Sequence, residues 1–455
     1  MKPDFLITVY ITNYNYEKYI EKAIDSVLNQ SIDNLELIII DDGSTDNSKE
    51  IIESYRDRDN ISIIYQQNKG LNATNNVALH ASNGKYIMRL DADDYLEKNA
   101  LELLSNKLES DSELGLVFPN YFLISKDDRI ISEEIRHDFD QEVQLFDQAA
   151  HGACTMIRSD FLKQVGGYNE SYSCQDGYEL WVKFSRKFNV SNVSKPLFYY
   201  RQHGANLTSN ENRILDTRAQ INADYIAESG ISTKSLIVIP VRGGEKDLAF
   251  RKIGERNFIS KKVKQALDTV NHAEIIITSP DQNVYDALEE RLRNNDRIHF
   301  HLRSEDKASI SQSLDGTIQE IIELDWVQKT EFSNICLISI EYPFLKPHKI
   351  DDAIHTLFLF GSDTLLSVLS DSSVFYVHKG DGLHPILERD QFTKLERDAL
   401  YRHSGGITVV RRKAFDAKKK IINGMVGHMM IDKESSFGVF SEHDYQLALL
   451  IDSNQ

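Results

Sequence analysis

The chain has 455 residues, which exceeds the size at which one hydrophobic core keeps growing, so two domains are expected. Its 41% hydrophobic and 27% charged residues are typical of folded globular domains and argue against a disordered protein. The net charge of −18 argues against nucleic acid as a partner, because phosphate backbones require clustered Lys and Arg.

Cysteine usage and hydropathy indicate the compartment. The three cysteines have no CxxC spacing, which argues against a disulfide framework or a structural zinc site. No run approaches about 20 apolar residues, and the first residues lack a secretory hydrophobic segment. We therefore predict a cytoplasmic protein without a transmembrane segment, and attachment to the inner face of a membrane stays open.

Apolar runs alternate with helical patterns from the amino terminus onward. Strands are predicted at 6–11, 35–40, 61–65 and 86–90, with helices at 19–28, 46–55 and 72–81. This alternation predicts a parallel sheet with helices on both faces. It restarts with a strand at 235–240, a helix at 260–270 and a strand at 274–278. We therefore predict two tandem α/β domains, 1–228 and 234–455, without an evident sequence repeat between them.

Polar segments follow the first two predicted strands. The first strand ends in Thr12-Asn13-Tyr14-Asn15, and the second ends in Asp41-Asp42-Gly43-Ser44-Thr45-Asp46. Ligands of open α/β sheets collect beyond the carboxyl ends of the strands. An aromatic ring can stack on a nucleobase, and a carboxylate can accept a hydrogen bond from the base or the ribose. A turn with a helix cap is the alternative for the second segment.

The fourth predicted strand delivers Asp91-Ala92-Asp93-Asp94 to the same edge of the sheet. Carboxylate oxygens suit Mg²⁺ or Mn²⁺, which are commonly held by one or two carboxylates plus substrate phosphates. The alternative is an acidic turn in which an Asp caps a helix beginning near Glu97. The two preceding polar segments favour the metal site.

Together these segments resemble the family 2 glycosyltransferases of the GT-A fold, over roughly the first 220 residues. The resemblance rests on the order and spacing of Ile11-Thr-Asn-Tyr-Asn15, Ala23-Ile-Asp-Ser-Val-Leu-Asn-Gln30, Leu35-Glu-Leu-Ile-Ile-Ile-Asp-Asp-Gly-Ser-Thr-Asp46, Asn68-Lys-Gly70, Asn83-Gly-Lys-Tyr-Ile87 and Leu90-Asp-Ala-Asp-Asp94. It implies that the donor nucleotide is bound by Thr12, Tyr14, Asp42 and Asp91. It also implies that Asp91 and Asp93 hold the divalent cation, and that the donor is a UDP-sugar.

Two later segments extend the resemblance. Gly166-Gly-Tyr-Asn-Glu170 and Gln175-Asp176-Gly-Tyr-Glu-Leu-Trp181 look like the acceptor side, where Asp176 would be the general base. Gln175 stands where the family usually has Glu. Tyr200-Arg-Gln-His203 resembles a late segment in which His203 lies near the metal or the diphosphate. The alternative is a histidine on a surface loop.

The second half of the chain carries its own candidate phosphate loop after a predicted strand. In Pro240-Val-Arg242-Gly243-Gly244-Glu245-Lys246, backbone N–H groups and two cations could surround a phosphate, although a tight surface turn would look similar. Residues 235 to 452 resemble the CMP-sugar synthetases, which are cytidylyltransferases. The resemblance rests on Arg251-Lys252-Ile253, Ile275-Ile-Ile-Thr-Ser-Pro-Asp281, Ile350-Asp-Asp-Ala-Ile354, Gly405-Gly-Ile-Thr-Val409 and Ile431-Asp-Lys-Glu434. The resemblance implies a Rossmann-like nucleotidyltransferase fold and a nucleotide site at Arg242, Gly243, Gly244 and Lys246.

The departures from that family fall on its chemistry. Glu245 replaces a Ser of the phosphate loop, where it would repel a triphosphate. A segment expected to read Gln-Pro-Thr-Ser-Pro-Leu-Arg is Ile340-Glu-Tyr-Pro-Phe-Leu-Lys346. The metal pair, expected to read Asp-Ile-Asp, is Asp432-Lys433-Glu434, in which Asp432 and Glu434 remain the candidate ligands. We therefore expect the fold to be kept and the turnover to be reduced or lost.

The sequence thus predicts an inverting, metal-dependent glycosyltransferase that acts on a glycan or lipid-linked acceptor in surface polysaccharide biosynthesis. The second domain is expected to be cytidylyltransferase-like and to bind a cytidine nucleotide with little or no turnover. Two alternatives stay open. The chain could be a bifunctional enzyme that also makes a CMP-activated acidic sugar, or the second domain could be a binding or assembly module.

Overall fold

The computed structural model describes residues 5–134, 152–203, 210–241, 246–308, 312–371, 373, 375–380, 382–386 and 400–453. The chain divides into two compact units, Met1–Arg218 and Ala219–Gln455. The boundary falls inside the helix Glu211–Ser229. The predicted domain limits would place it at the end of the same helix.

Unit 1 is a mixed sheet with helices on both faces. Its described strands are β1 (Phe5–Asn13), β2 (Leu35–Asp41), β3 (Ile61–Tyr65), β4 (Gly84–Asp91), β5 (Tyr95–Leu96), β6 (Leu114–Ser125), β7 (Ile130–Glu134), β8 (Met156–Arg158) and β9 (Asn189–Gln202). Its helices are α1 (Ile20–Leu28), α2 (Ser48–Glu53), α3 (Leu71–Ala81), α4 (Ala100–Glu109), α5 (Ser159–Gln164), α6 (Asp176–Phe184) and the boundary helix α7 (Glu211–Ser229).

The strand order of unit 1 is β3-β2-β1-β4-β8-β6-β9-β5, and β7 pairs with β6. Strands β1 to β4 pair in parallel, whereas β8 runs antiparallel to both β4 and β6. The chain reverses its direction of winding between β1 and β4, which are neighbours in the sheet. Ligands of open α/β sheets bind beyond the strand ends at such a reversal.

Alternation along the strands separates two hydrophobic cores in unit 1. Ile7, Val9 and Ile11 of β1 point into the core that helices α1 and α4 cover. Tyr10 points into the opposite core, where Trp181 of α6 is fully buried. Because side chains alternate with a period of two, polar residues on the second face of β1 and β4 lie towards α3 and α6.

The predicted elements of unit 1 agree closely with those observed. The third strand has the predicted limits, and the others extend by one or two residues at an end. The helix predicted at 46–55 is shortened at both ends to Ser48–Glu53, and Asp46 before it accepts a hydrogen bond from the Ser48 N–H through Oδ1 at 3.0 Å.

Unit 2 contains a second mixed sheet. Its described strands are β10 (Ser235–Pro240), β11 (Lys252–Ile253), β12 (Arg256–Asn257), β13 (His272–Ser279), β14 (Ile298–Leu302), β15 (Asn334–Ile338), β16 (Thr364–Asp371), β17 (Tyr376–His378), β18 (Leu383–Pro385), β19 (Leu400–Arg411) and β20 (Val426–Met430). Its helices are α8 (Lys246–Phe250), α9 (Phe258–Leu267), α10 (Asn283–Asp286), α11 (Glu290–Arg293), α12 (Glu305–Ala308), α13 (Asp315–Glu323), α14 (Asp325–Lys329), α15 (Pro347–Leu359), α16 (Arg412–Lys418) and α17 (Glu442–Ser453).

The order of the main sheet in unit 2 is β14-β13-β10-β15-β19-β16-β20, and β19 is antiparallel to both of its neighbours. Counted along the chain, its first four strands lie in the order third, second, first, fourth, as they do in unit 1. The two units therefore share the start of their winding although their sequences show no evident repeat. The mixed α/β architecture agrees with the prediction, and the assignment to nucleotidyltransferases stays a prediction.

Two further observations concern the whole described chain. Cys154, Cys174 and Cys336 are buried with free thiols. None of the described helices combines the length and apolar character that a membrane span requires.

Candidate active site

Strands β1 and β4 bring Thr12 and Asp91 together at the carboxyl edge of the sheet in unit 1. The two residues are register partners, and the Thr12 hydroxyl donates a hydrogen bond to Asp91 Oδ1 at 3.3 Å. Asp91 is the last residue of β4, so its carboxylate stands where the strand opens into the loop. The structure thus joins two residues that the sequence predicts for donor binding.

Arg89 links this edge to the predicted general base. It lies two residues before Asp91 on β4, so both side chains emerge from the same face. Arg89 Nε is 2.9 Å from Asp91 Oδ1, and Arg89 Nη1 forms an ion pair with Asp176 Oδ2. Burial disfavours the guanidinium charge, but the carboxylates of Asp176 and Asp91 outweigh that effect and raise the pKa of Arg89.

Sequence reasoning missed Arg89 because it treated residues 86–90 as an apolar strand. The signal is that Arg89 is the single charged residue inside that run and lies on the same face of the strand as Asp91. A buried arginine requires an anionic partner, and here the partner must come from the face of β4 that α3 and α6 cover. The ion pair with Asp176, 87 residues away, is a tertiary contact that strand spacing alone does not specify.

Asp176 is the first residue of α6 and is 7% exposed. The chain enters this helix through Gln175, whose φ of 66° lies in the left-handed region. The Gln175 side chain accepts a hydrogen bond from Arg218 Nε at 2.7 Å. Gln175, which stands where the resemblance leads one to expect Glu, therefore contacts the Arg218 guanidinium. The predicted base, Asp176, stays beside Arg89.

Carboxylates accumulate directly after Asp91. Asp93 is 6% exposed and Asp94 is 1% exposed. Burial is the main cause that raises the pKa of Asp93, and the charge of Asp91 adds to it. Burial and then the charge of Asp93 raise the pKa of Asp94 well above its ordinary value. Such crowded negative charge is stabilised by a cation, and the role of Asp91 and Asp93 as metal ligands stays a prediction.

The alternative in which an Asp of this segment caps a helix beginning near Glu97 is wrong, and Asp94, the last Asp of the segment, has another partner. Helix α4 begins only at Ala100, after the short strand β5, and Asn99 stands at its cap position. Asp94 Oδ1 instead accepts a hydrogen bond from the backbone N–H of Arg201 at 2.9 Å. The tertiary contact with β9 outcompetes the local cap, so Asp94 holds the acidic segment 91–94 to β9.

His203 meets the same segment from the end of β9. Its Nε2 is hydrogen-bonded to Asp93 Oδ2 at 2.9 Å, and its ring stacks on Tyr19 at 6.0 Å. The Tyr16 ring contacts it edge-on at 5.7 Å. The histidine is thus not an isolated surface side chain, and its role as a metal ligand stays a prediction.

Asp42 and Tyr14 occupy the other predicted donor positions. Asp42 Oδ1 accepts hydrogen bonds from Gln66 Nε2 at 2.7 Å and from the Lys69 N–H at 3.0 Å. Its Oδ2 accepts one from the Gly70 N–H at 3.1 Å. Asp42 therefore organises the loop before α3, and Tyr14, beyond the end of β1, is 47% exposed.

The donor set at Asp91 and Asp93 fits a hard divalent cation. Both groups offer carboxylate oxygens, the ligands that Mg²⁺ and Mn²⁺ prefer. No three His, Cys, Asp or Glu side chains form a ready-made metal cage in the part of the chain that the structure describes. A cation that binds together with a diphosphate does not need one, because phosphate oxygens and water complete its coordination.

The structure describes only some of the predicted site residues of unit 2. Arg242, Gly243 and Gly244 lie outside the described residues, and so does the side chain of Lys246. Asp432 Oδ1 accepts a hydrogen bond from the Ser435 N–H at 2.8 Å. Among the remaining candidates, Glu434 Oε2 forms an ion pair with Lys346 Nζ at 3.0 Å.

Unit 1 is defined by a doubly wound α/β sheet whose carboxyl edge gathers acidic residues at its winding reversal, as in nucleotide-binding enzymes. Residues 8–166 match the family described as glycosyl transferase family 2. A glycosyltransferase of Haemophilus influenzae, described as uncharacterized, is 31% identical over 222 residues, covering 45% of this chain and 68% of that protein. The chain belongs to glycosyl transferase family 2, which confirms the predicted family.

Other relatives are longer proteins. A chondroitin synthase of Escherichia coli is 32% identical over 202 residues, which covers 44% of this chain and 29% of that protein. A hyaluronan synthase of Pasteurella multocida is 31% identical over 204 residues, covering 44% and 21%. The chain therefore spans less than a third of either synthase.

Among solved structures, S. aureus TarS 1-349 in complex with UDP-GlcNAc aligns with a TM-score of 0.42 and 21% identity, covering 49% of this chain and 67% of that one. We draw no conclusion about function from a likeness of that size.

Proposed function

We propose that unit 1 is an inverting, metal-dependent glycosyltransferase that moves a sugar from a nucleotide-sugar donor to a glycan or lipid-linked acceptor. The observation that carries the proposal is the arrangement around Arg89, whose guanidinium contacts both Asp91 and Asp176. Asp91 belongs to the segment that would hold the cation, and Asp176 begins α6 on the proposed acceptor side. Donor and acceptor chemistry would therefore meet at this edge.

In the proposed reaction, Asp176 accepts the proton of an acceptor hydroxyl while that oxygen attacks the anomeric carbon of the donor sugar. The bond from that carbon to the diphosphate breaks, and the nucleoside diphosphate departs from the opposite face. A divalent cation held by Asp91 and Asp93 would stabilise the negative charge of the departing group. Thr12, Tyr14 and Asp42 would bind the nucleotide, and His203 would support Asp93 or contact the diphosphate.

Synthesis of a surface polysaccharide is the process that we propose for this activity. Support comes from family membership and from two relatives named for the polysaccharides that they synthesise, chondroitin and hyaluronan. A UDP-sugar is the donor expected from the family. These assignments belong to the proposal, since the chain covers only a part of each synthase.

For unit 2 we propose a cytidylyltransferase-like module with reduced or no turnover. Support comes from Glu245 and Glu434, which stand where the cytidylyltransferases that unit 2 resembles have Ser and Asp. If the full chain releases pyrophosphate from CTP with an acidic sugar, unit 2 is an active synthetase. Binding of cytidine nucleotides without release supports the module.

A thermal-shift screen of the full chain with nucleotides and nucleotide sugars tests the donor assignment. A ligand that binds only the folded state raises the unfolding midpoint, and at 100 times its Kd contributes about 2.7 kcal/mol. We expect a nucleotide sugar to stabilise the chain more strongly in the presence of Mn²⁺ or Mg²⁺. The same shift in Asp93→Asn would contradict the assigned cation site.

A further inference from the structure

A single arginine joins the two carboxylates to which the proposed reaction gives different tasks. Arg89 is 5% exposed, and its Nε lies 2.9 Å from Asp91 Oδ1, with Nη2 at 3.4 Å from Asp91 Oδ2. Its Nη1 pairs with Asp176 Oδ2. The guanidinium is a planar, rigid fork, so the position of one carboxylate fixes the position of the other.

Gly152 completes this arrangement from the other side. A Cβ atom added to Gly152 would lie 2.4 Å from Asp176 Oδ2 and 2.7 Å from Arg89 Nη2. Neither distance is compatible with unbonded atoms at rest, so with any larger residue either the ion pair or the backbone at Gly152 must shift. The following Cys154 N–H donates a hydrogen bond to the Arg89 carbonyl at 2.8 Å, which fixes this segment against β4.

We propose that Arg89 and Gly152 are positioning residues for Asp176, Arg89 by holding one carboxylate oxygen and Gly152 by leaving the space that this contact needs. A general base works only within hydrogen-bond reach of the proton that it removes. A carboxylate held through one oxygen keeps the lone pairs of the other for that proton. The inference rests on the proposed function, in which Asp176 is the base.

The alternative is a buried ion pair that serves the fold alone. Removal of one partner from such a pair costs stability without any specific effect on catalysis. The two accounts differ in a double-mutant cycle. If Gly152→Ala acts through Asp176, its effect on kcat should vanish once Asp176 is replaced, because coupled groups are not additive.

The test uses the full chain and the release of nucleoside diphosphate from a donor that the unaltered protein accepts. We expect Arg89→Gln to lower kcat about 100-fold, the scale of a misplaced catalytic group. Arg89→Lys should restore part of that loss, because an ammonium keeps the charge but cannot span both carboxylates. Gly152→Ala should lower kcat with donor KM little changed, and should add nothing to Asp176→Asn.

Arg158→Gln is the matched control. This arginine lies on β8 of the same sheet, but its guanidinium donates to the carbonyls of Leu114 and Leu108 and is not in the proposed site. We expect it to lower the free energy of unfolding and to leave kcat unchanged. If Arg89→Gln fails to fold, as judged by circular dichroism and the urea midpoint, the kcat values of Arg89→Lys and Gly152→Ala test the positioning role instead.

The outcomes separate the two proposals. If the unaltered chain is active and Gly152→Ala retains its kcat, the positioning role is overturned while the glycosyltransferase stands. An equal loss from Gly152→Ala in both Asp176 backgrounds overturns it as well. If the unaltered chain releases no nucleoside diphosphate from any donor that it binds, the proposed function falls, and the positioning role falls with it.

Discussion

Asp176→Asn separates catalysis from binding most clearly in unit 1. Loss of a general base lowers turnover by about 10² to 10⁴, which corresponds to about 3 to 5 kcal/mol of transition-state free energy. Donor affinity should be nearly unchanged, because the nucleotide is assigned to Thr12, Tyr14 and Asp42. The decrease should therefore appear in kcat, with donor KM almost unaltered.

The structure also bounds the effect of this change on stability. An orphaned buried charge costs about 3 to 5 kcal/mol. Arg89 keeps its contact with Asp91 at 2.9 Å when Asp176 is neutralised, so the guanidinium is not orphaned. The Asn side chain can still accept a hydrogen bond from it. We expect a loss of less than about 2 kcal/mol in the free energy of unfolding.

The assay measures nucleoside diphosphate release against donor concentration, together with urea unfolding of each variant. Asp160→Asn is the matched control, because Asp160 is an exposed residue in the first turn of the neighbouring helix α5. That control should keep its kcat. An Asp176→Asn enzyme that raises donor KM and retains kcat would refute the role of a base and place the residue in donor binding.

Three further predictions address the cation, the second unit and a buried lysine. Asp93→Asn should abolish the Mn²⁺-dependent release of nucleoside diphosphate. Full activity of this variant would contradict the assigned cation site. Arg242→Ala should weaken cytidine nucleotide binding, measured by calorimetry, without changing nucleoside diphosphate release; equal binding would exclude Arg242 from the site. Burial lowers the pKa of Lys262 from 10.5 to about 7, a shift that corresponds to about 5 kcal/mol. The folded state therefore binds the proton less tightly than the unfolded chain, and this cost is fully present below pH 7 and is relieved as pH rises towards 10.5. Lys262→Met should raise the urea midpoint of unit 2 below pH 7, and the gain should shrink as pH rises. The loss of the hydrogen bond from Lys262 Nζ to the Tyr342 carbonyl offsets roughly 1 kcal/mol of the gain in free energy of unfolding. A pH-independent difference would contradict the assigned cost.

The sequence predicts the first half of unit 1 well because local and tertiary preferences agree there. The apolar runs at β1 to β4 have strand length, and the polar residues that follow them mark the strand ends. Parallel strands must then bring those ends to one edge, so the proximity of Thr12 and Asp91 follows from topology.

The remainder depends on contacts between distant residues. Asp94 looks like a helix cap by spacing, but its oxygen binds the Arg201 N–H, 107 residues away. Arg89 looks like a misfit in an apolar strand until α6 is folded onto the same face. Gly152 follows no motif, and its meaning appears only when a Cβ atom is placed against Asp176. Side-chain spacing within one element cannot specify such contacts.

The measurement that tests the central claim most directly is nucleoside diphosphate release by the full chain, with a panel of nucleotide sugars and glycan acceptors, before and after removal of divalent cations by EDTA. The account predicts release from at least one nucleotide sugar, its loss with EDTA, its return with Mn²⁺ or Mg²⁺, and a product of inverted anomeric configuration. Release that is indifferent to EDTA and to Asp93→Asn, or a product that retains the donor configuration, would contradict it.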